Sequence, residues 1–235
     1  MDSKTAISHN AQTVPIYCIS FNNPPRKERM MARFEQLGLP CTFIDPIPPT
    51  DPQIVENIEH EWLRRQFSAM MNHLKMMALF VESGASHGIF CEDDIYLKRT
   101  FKEDLPYIVH DFDRMELDIL LLGYLISEKL VFPRYPPKTK YTYHNYPDDN
   151  WGSQMYMLSR KHALVLLEKF SFEQGLILHK TIPYTQDFTI TKTGNRACIY
   201  PLIGVEEGEV NGDHQGQILF HQKCAAIHYD PDLYL

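Results

Sequence analysis

The sequence predicts an α/β fold, a mixed and mainly parallel Rossmann-like sheet flanked by helices. Three observations predict it. Short runs that are apolar almost throughout, at 14–21, 89–91 and 118–122, read as strands buried on both faces, as parallel strands are. Between them lie stretches with apolar residues three and four apart, the mark of amphipathic helices. The chain also opens strand–helix–strand, which is half of a nucleotide-binding α/β sheet.

Residues 1–13 are polar and are expected to form a loose tail ahead of one domain, 14–235. The run 14–21 is the first strand, and Asn22-Asn23-Pro24-Pro25 turns it. A helix follows, with Met30, Met31, Phe34 and Leu37 on one face and Gly38 as its stop. Arg26, Lys27 and Arg29 crowd its first turn, where cations oppose the helix dipole; they are either solvated charge or an anion site at the strand-to-helix turn. Residues 41–45 read as a second strand ending at Asp45, followed by a Pro-rich loop, 46–52. A short helix is expected over 54–63 and a longer one over 66–82, whose stripe of Phe67, Met70, Leu74, Met77 and Val81 reads as core filling. Asn72 and His73 sit in the middle of it.

Past the strand at 89–91, residues 101–112 read as a helix and 118–122 as a buried strand. The stretch 124–150 is rich in Pro, Tyr and Lys without a period, and is expected to be a long lid or acceptor-binding excursion. Residues 154–158 read as a strand, and Ser159 caps a helix carrying Ala163, Leu166, Leu167 and Phe170. A loop with Pro183 leads to Asp187 and the segment 188–191; residues 197–200 make a last short strand. The tail 204–235 has little periodicity and carries His214, His221 and His228.

A net charge of -7 leaves no basic excess for nucleic acid. Five scattered cysteines form neither a disulfide framework nor a paired zinc motif, and no Asn-x-Ser/Thr sequon occurs. No run is long enough to span a bilayer and no signal-peptide core is visible, so a soluble, cytoplasmic protein is expected.

The chemistry concentrates where the strand at 89–91 runs into Glu92-Asp93-Asp94. Three carboxylates at the mouth of a buried strand are costly unless a cation or donors meet them. On an extended chain Glu92 and Asp94 face one way and Asp93 the other. Two hard oxygen ligands there suit Mg²⁺ or Mn²⁺, and strand C-termini are where open α/β sheets bind ligands. The alternative is an acidic helix start solvated at a dipole.

Taken together these pieces resemble glycosyltransferase family 25, which includes bacterial lipooligosaccharide galactosyltransferases and collagen galactosyltransferase domains. The resemblance runs from about Val14 to His214. It rests on 16–21 against the family's opening strand, and on Arg26-Lys27 with Met30 against Arg-Arg-x-x-Met. Asn72-His73 stands against its Ser-His, and Glu92-Asp93-Asp94 against its Glu-Asp-Asp. Gly152-Ser153 with Tyr156-Met157-Leu158-Ser159 is similar to its Gly-Thr and Tyr-x-x-Ser, and Gln186-Asp187-Phe188 to its Ile/Val-Asp-x-x-Leu. Ser20, Asn72 and the Pro-rich loop depart from it where donor contacts are expected. The resemblance implies a GT-A fold and a nucleotide-sugar donor, usually UDP-linked. It makes Ser20, Arg26, Lys27, Asp45, His73, Asp93 and Ser153 candidate donor-binding residues, and Glu92 and Asp94, with His214 late in the chain, candidate metal ligands. Asp187 is the candidate base for the acceptor hydroxyl, or else a helix cap. The expected partners are a nucleotide-sugar donor and a glycan or glycoconjugate acceptor. A metal-dependent phosphoesterase and a non-catalytic sugar-nucleotide binding module are the alternatives.

Overall fold

The computed structural model describes residues 14–21, 23–131, 133–134, 140–148, 150–208 and 215–235. The expected N-terminal tail and His214 lie outside them. A seven-stranded sheet runs through the described chain in the order β2 (Thr42–Ile44), β1 (Ile16–Ile19), β3 (His87–Glu92), β7 (Trp151–Ser159), β5 (Ile119–Leu125), β8 (Arg196–Tyr200), β6 (Thr142–His144). β2, β1 and β3 are parallel, as are β5 and β8; β7 lies antiparallel between β3 and β5, and β6 antiparallel at the edge. The inserted β7 has a consequence for the site. Its first residues, Trp151 to Ser153, arrive at the same sheet edge as the last residue of β3, Glu92.

Both faces of the sheet are covered, which is why its strands are apolar without alternation. One core joins Tyr17, Ile19 and Phe90 to α3 (Glu61–Ser83), α5 (Arg160–Lys169) and α6 (Phe172–Leu178). The other joins Ile16, Cys18 and Ile89 to α1 (Pro24–Leu37) and α4 (Phe101–Arg114). α1 starts on Asn23, whose side chain accepts from the Arg26 N–H, has prolines in its first turn, and stops at Gly38 in the left-handed conformation. Ser159 caps α5 as expected.

Several expectations are corrected. The short helix is α2 (Pro52–Asn57), and Trp62 and Leu63 belong to α3, which begins at Glu61. Tyr124 and Leu125 continue β5, so the excursion begins later, and within it β6 pairs with β8. α6 occupies part of the expected loop before Asp187. The tail contains β9 (Gly204–Glu206), paired with β4 (Ile95–Leu97), and α7 (Gln215–His228). All five cysteines are free. Among the described residues no helix is long and apolar enough to cross a membrane.

Asn72 is the polar fastener of the Pro-rich loop. Its side chain accepts from Ile47 N at 2.7 Å and donates to Ile47 O at 2.9 Å and Ser68 O at 2.8 Å, while Ser68 Oγ donates to Ile47 O at 2.6 Å. A buried amide in mid-helix is stable only with its hydrogen bonds made, and here they hold the loop across the end of β1.

Candidate active site

β3 ends at Glu92, and residues 93 and 94 form a bend. The strand alternation therefore stops, and the expected facing of the acids is corrected. Asp93 and Asp94 converge on Arg26, whose Nη1 lies 3.9 Å from Asp93 Oδ1 and 3.0 Å from Asp94 Oδ2. Glu92 accepts from Gln186 Nε2 at 3.3 Å and lies 3.5 Å from His73 Nε2, near enough to Asp94 to raise it. The register pairs Ile19 with Glu92, which sets Ser20 beside Asp93.

The cations of α1 are thus placed by acids. Arg29 and Arg33 both bind Glu207, at 2.8 and 2.5 Å, just after β9. Burial would raise the Glu207 carboxyl, but the two guanidiniums outweigh it and hold it below its usual value. Lys27 leads elsewhere, with its ammonium 5.6 Å from the Phe43 ring centre. Asp45 is exposed, and its carbonyl, at 2.7 Å, is what Lys75 Nζ binds. Neither residue joins the acid cluster.

Asp94 is raised well above the ordinary carboxylate range by burial and by Glu92; Arg26 opposes the rise, while Glu206 and Asp93 add to it. Asp93 is raised by burial against the pull of the Ser20 hydroxyl and Arg26. Asp93 Oδ2 and Asp94 Oδ1 are buried with no hydrogen-bond partner among the described residues, and Glu206 Oε2 faces His221 Nδ1 at 3.2 Å. Arg26 is the guanidinium that faces Asp93 and Asp94, while Arg29 and Arg33 are taken by Glu207. Buried hard oxygens of this kind fit a divalent ion. Among the described residues no three His, Cys, Asp or Glu side chains form a metal-holding group by themselves.

Behind Glu92, His73 is buried with Nδ1 2.7 Å from Tyr156 OH. Burial and the Glu92 charge keep Tyr156 protonated. If the phenol donates to Nδ1, the imidazole carries its hydrogen on Nε2, toward Glu92. His73 thus belongs to the core and at the same time backs an acid.

A cavity of about 760 Å³ opens in front of this row. Glu92, Ser153, Gln186 and Asp187 line it, with Trp151 and Phe220 among its apolar walls. Asp187 Oδ1 accepts from Gly152 N at 3.1 Å, so its carboxylate reaches across to β7 and does not cap the 3₁₀ turn Ile190–Lys192. Burial and then Glu92 raise its pKa, against the Ser153 hydroxyl and the Gly152 N–H. Gly152 sits at φ +107°, where a Cβ would stand 2.5 Å from Gln154 Oε1 and 2.6 Å from Leu125 N. Only glycine presents its N–H to Asp187 in this way.

Of the tail histidines, His214 is outside the described residues. His228 Nε2 is bound to Ile126 O at 2.9 Å, and burial lowers its pKa. His221 lines the cavity, with Nδ1 3.2 Å from Glu206 Oε2. The reading of the sequence missed Trp151, Gln154, Glu206 and Phe220; only Trp151-Gly152, beside a recognised motif, carried a signal.

Residues 13–182 match the model of glycosyltransferase family 25, described as an LPS biosynthesis protein. A transferase of sugars is thereby defined, and the chain belongs to glycosyltransferase family 25. The match covers Glu92, Asp93, Asp94, His73 and Ser153 and ends before Gln186-Asp187, Glu206 and Glu207. Two solved structures are similar to this chain. One is the crystal structure of A197 from STIV, 14% identical over 86% of this chain and 95% of that one, with a TM-score of 0.40. The other is a glycosyltransferase involved in the glycosylation of the major capsid of PBCV-1, 10% identical over 79% of this chain and 80% of that one, with a TM-score of 0.44. No curated protein matches the chain.

Proposed function

We propose that this glycosyltransferase moves a hexose from a nucleoside diphosphate sugar, a UDP-hexose such as UDP-galactose or UDP-glucose, to a hydroxyl of a glycan or glycoconjugate. The observation that carries the reading is the order of features along one sheet edge. A second cavity of about 470 Å³ lies beside Phe21, Pro46, Pro48 and Arg65. Next come Ser20, Arg26, Asp93 and Asp94, and then Glu92 and Asp187 in the larger cavity. That succession suits a base, a diphosphate and a sugar. Phe21 and Arg65 offer planar groups to a base, and Arg26 offers a fork of donors to a phosphate.

The acids fit Mn²⁺ or Mg²⁺, held by Glu92 and Asp94; a bound divalent ion would supply Lewis-acid neutralisation of the departing diphosphate. The remaining work falls to side chains. Asp187, poised above the usual carboxylate range, receives the acceptor hydroxyl proton as that oxygen bonds the anomeric carbon and the carbon–oxygen bond to the diphosphate breaks. Gly152 N–H fixes the carboxylate, and Gln186 and His73 fix Glu92 beside it. Family membership favours this chemistry over the phosphoesterase and the binding module.

Arg26→Ala is expected to raise the donor KM at least about tenfold with a smaller change in kcat, because it removes binding common to ground and transition states. Initial rates against donor concentration measure it. An unchanged donor KM would confine Arg26 to neutralising Asp93 and Asp94.

A further inference from the structure

The larger cavity holds more than the acids use, and its unused groups share one chemistry. Asn150 Nδ2, Gln154 Oε1 and Gln186 Oε1 are buried without a hydrogen-bond partner among the described residues, and these three residues line the cavity together with the Ser153 hydroxyl. Orphaned buried polar atoms are costly and rare in folded proteins. Here three of them line one cavity, where a polar ligand would complete them. They are neutral amides beside a hydroxyl, and no described lining residue is Lys or Arg. Lys192, close by, is turned to main-chain oxygens, with Nζ 2.6 Å from Asn150 O. A ligand carrying several hydroxyls, each donor and acceptor, fits such a set; an anion would meet the carboxylates of Glu92 and Asp187.

The rim supplies the apolar half of the same recognition. Trp151 is 48% exposed and Phe220 36% exposed. The indole is held edge-to-face by Phe188, at 4.6 Å between centroids and 85° between planes, so it is oriented while much of its surface stays open. A fixed, open aromatic ring offers large contact area at low entropic cost. A pyranose has the matching shape, with C–H groups on one face and hydroxyls around the edge.

We infer that the part of the cavity between Trp151 and Phe220 is an acceptor subsite for a neutral pyranose, stacked on Trp151 and hydrogen-bonded by Asn150, Ser153, Gln154 and Gln186. The inference rests on the proposed glycosyl transfer and goes beyond it by giving the acceptor's class: a neutral sugar, neither a uronic nor a sialic acid.

Two readouts test it. The chain has two tryptophans, Trp62 and Trp151. In the Trp62→Phe protein all indole emission comes from Trp151, and binding can be followed without turnover. Methyl glucosides, galactosides and mannosides are expected to shift or quench that emission saturably, while a methyl glucuronide and a methyl sialoside leave it unchanged. In rate measurements Trp151→Ala is expected to raise the acceptor KM at least tenfold, Trp151→Phe to restore most of it, and the donor KM to stay as in wild type. A response to the charged sugars alone, or to none of the sugars, overturns the inference while leaving glycosyl transfer standing. So does a Trp151→Ala defect confined to donor KM, which would assign the aromatic wall to the donor sugar. Turnover of no nucleotide sugar, by contrast, would remove the proposed function itself.

Discussion

Asp187→Asn is expected to lower the transfer rate by about 10²–10⁴-fold, the usual worth of a positioned general base, while leaving the fold intact. The amide oxygen can still accept from Gly152 N–H, the bond that now holds Asp187 Oδ1 at 3.1 Å, so the local structure has no reason to rearrange. What the variant loses is the place for the acceptor proton. Wild type should also show a diagnostic acid limb. Asp187 is raised above the ordinary carboxylate value of about 4, by burial first and Glu92 second. A base acts only when deprotonated, so kcat/KM should fall with falling pH through a value above that range. Glu92→Gln removes the second cause and should move the limb down. A near-wild-type rate in Asp187→Asn would return Asp187 to a structural role.

The second large effect is at Asp94. On the proposal that a divalent ion sits at the acids, Asp94→Asn removes several kcal/mol of charge stabilisation, which at about 1.4 kcal/mol per tenfold is two or more decades of rate. EDTA should produce a loss of the same order in wild type and little further loss in the variant. Stability should move the other way. Asp94 has a folded-state pKa well above its usual value. Such a group stabilises the fold at low pH and loses that contribution as pH rises through the raised value. The neutral amide carries no such loss, so Asp94→Asn should melt no lower than wild type at neutral pH without metal, and its advantage should shrink toward acid. Full activity in EDTA would sink the metal proposal, and would leave Asp94 the task of orienting Arg26.

The fold was legible where its causes are local. β1, α1, β3 and α3 show themselves as apolar runs and three-four spacing, and the caps Gly38 and Ser159 are written in single residues. What escaped depends on distant partners. β4 and β9 are three residues each and exist because they pair with one another across more than a hundred residues of chain. β6 is hidden among Tyr, Thr and His and is a strand only against β8. α7 buries little beyond Cys224, so no apolar stripe marks it. The same division holds at the site. The Glu92-Asp93-Asp94 run was visible, but its geometry was not, because alternation assumes that the strand continues and the chain bends after Glu92. Arg26, an expected anion contact, is an ion-pair partner of Asp93 and Asp94 in the structure. Glu206 and Phe220 reach the site through β9 and α7, which no local pattern foretells, and Trp151 through the start of β7, ahead of the strand expected at 154–158.

The most direct test of the central claim is to incubate the protein with UDP-galactose or UDP-glucose, Mn²⁺ and a neutral pyranoside, and to quantify UDP and glycosylated product in the same reaction by chromatography. The account predicts UDP and product in equal amounts, with UDP release strongly dependent on the acceptor. Phosphate or sugar phosphate released independently of acceptor, or no turnover of any nucleotide sugar, would contradict it.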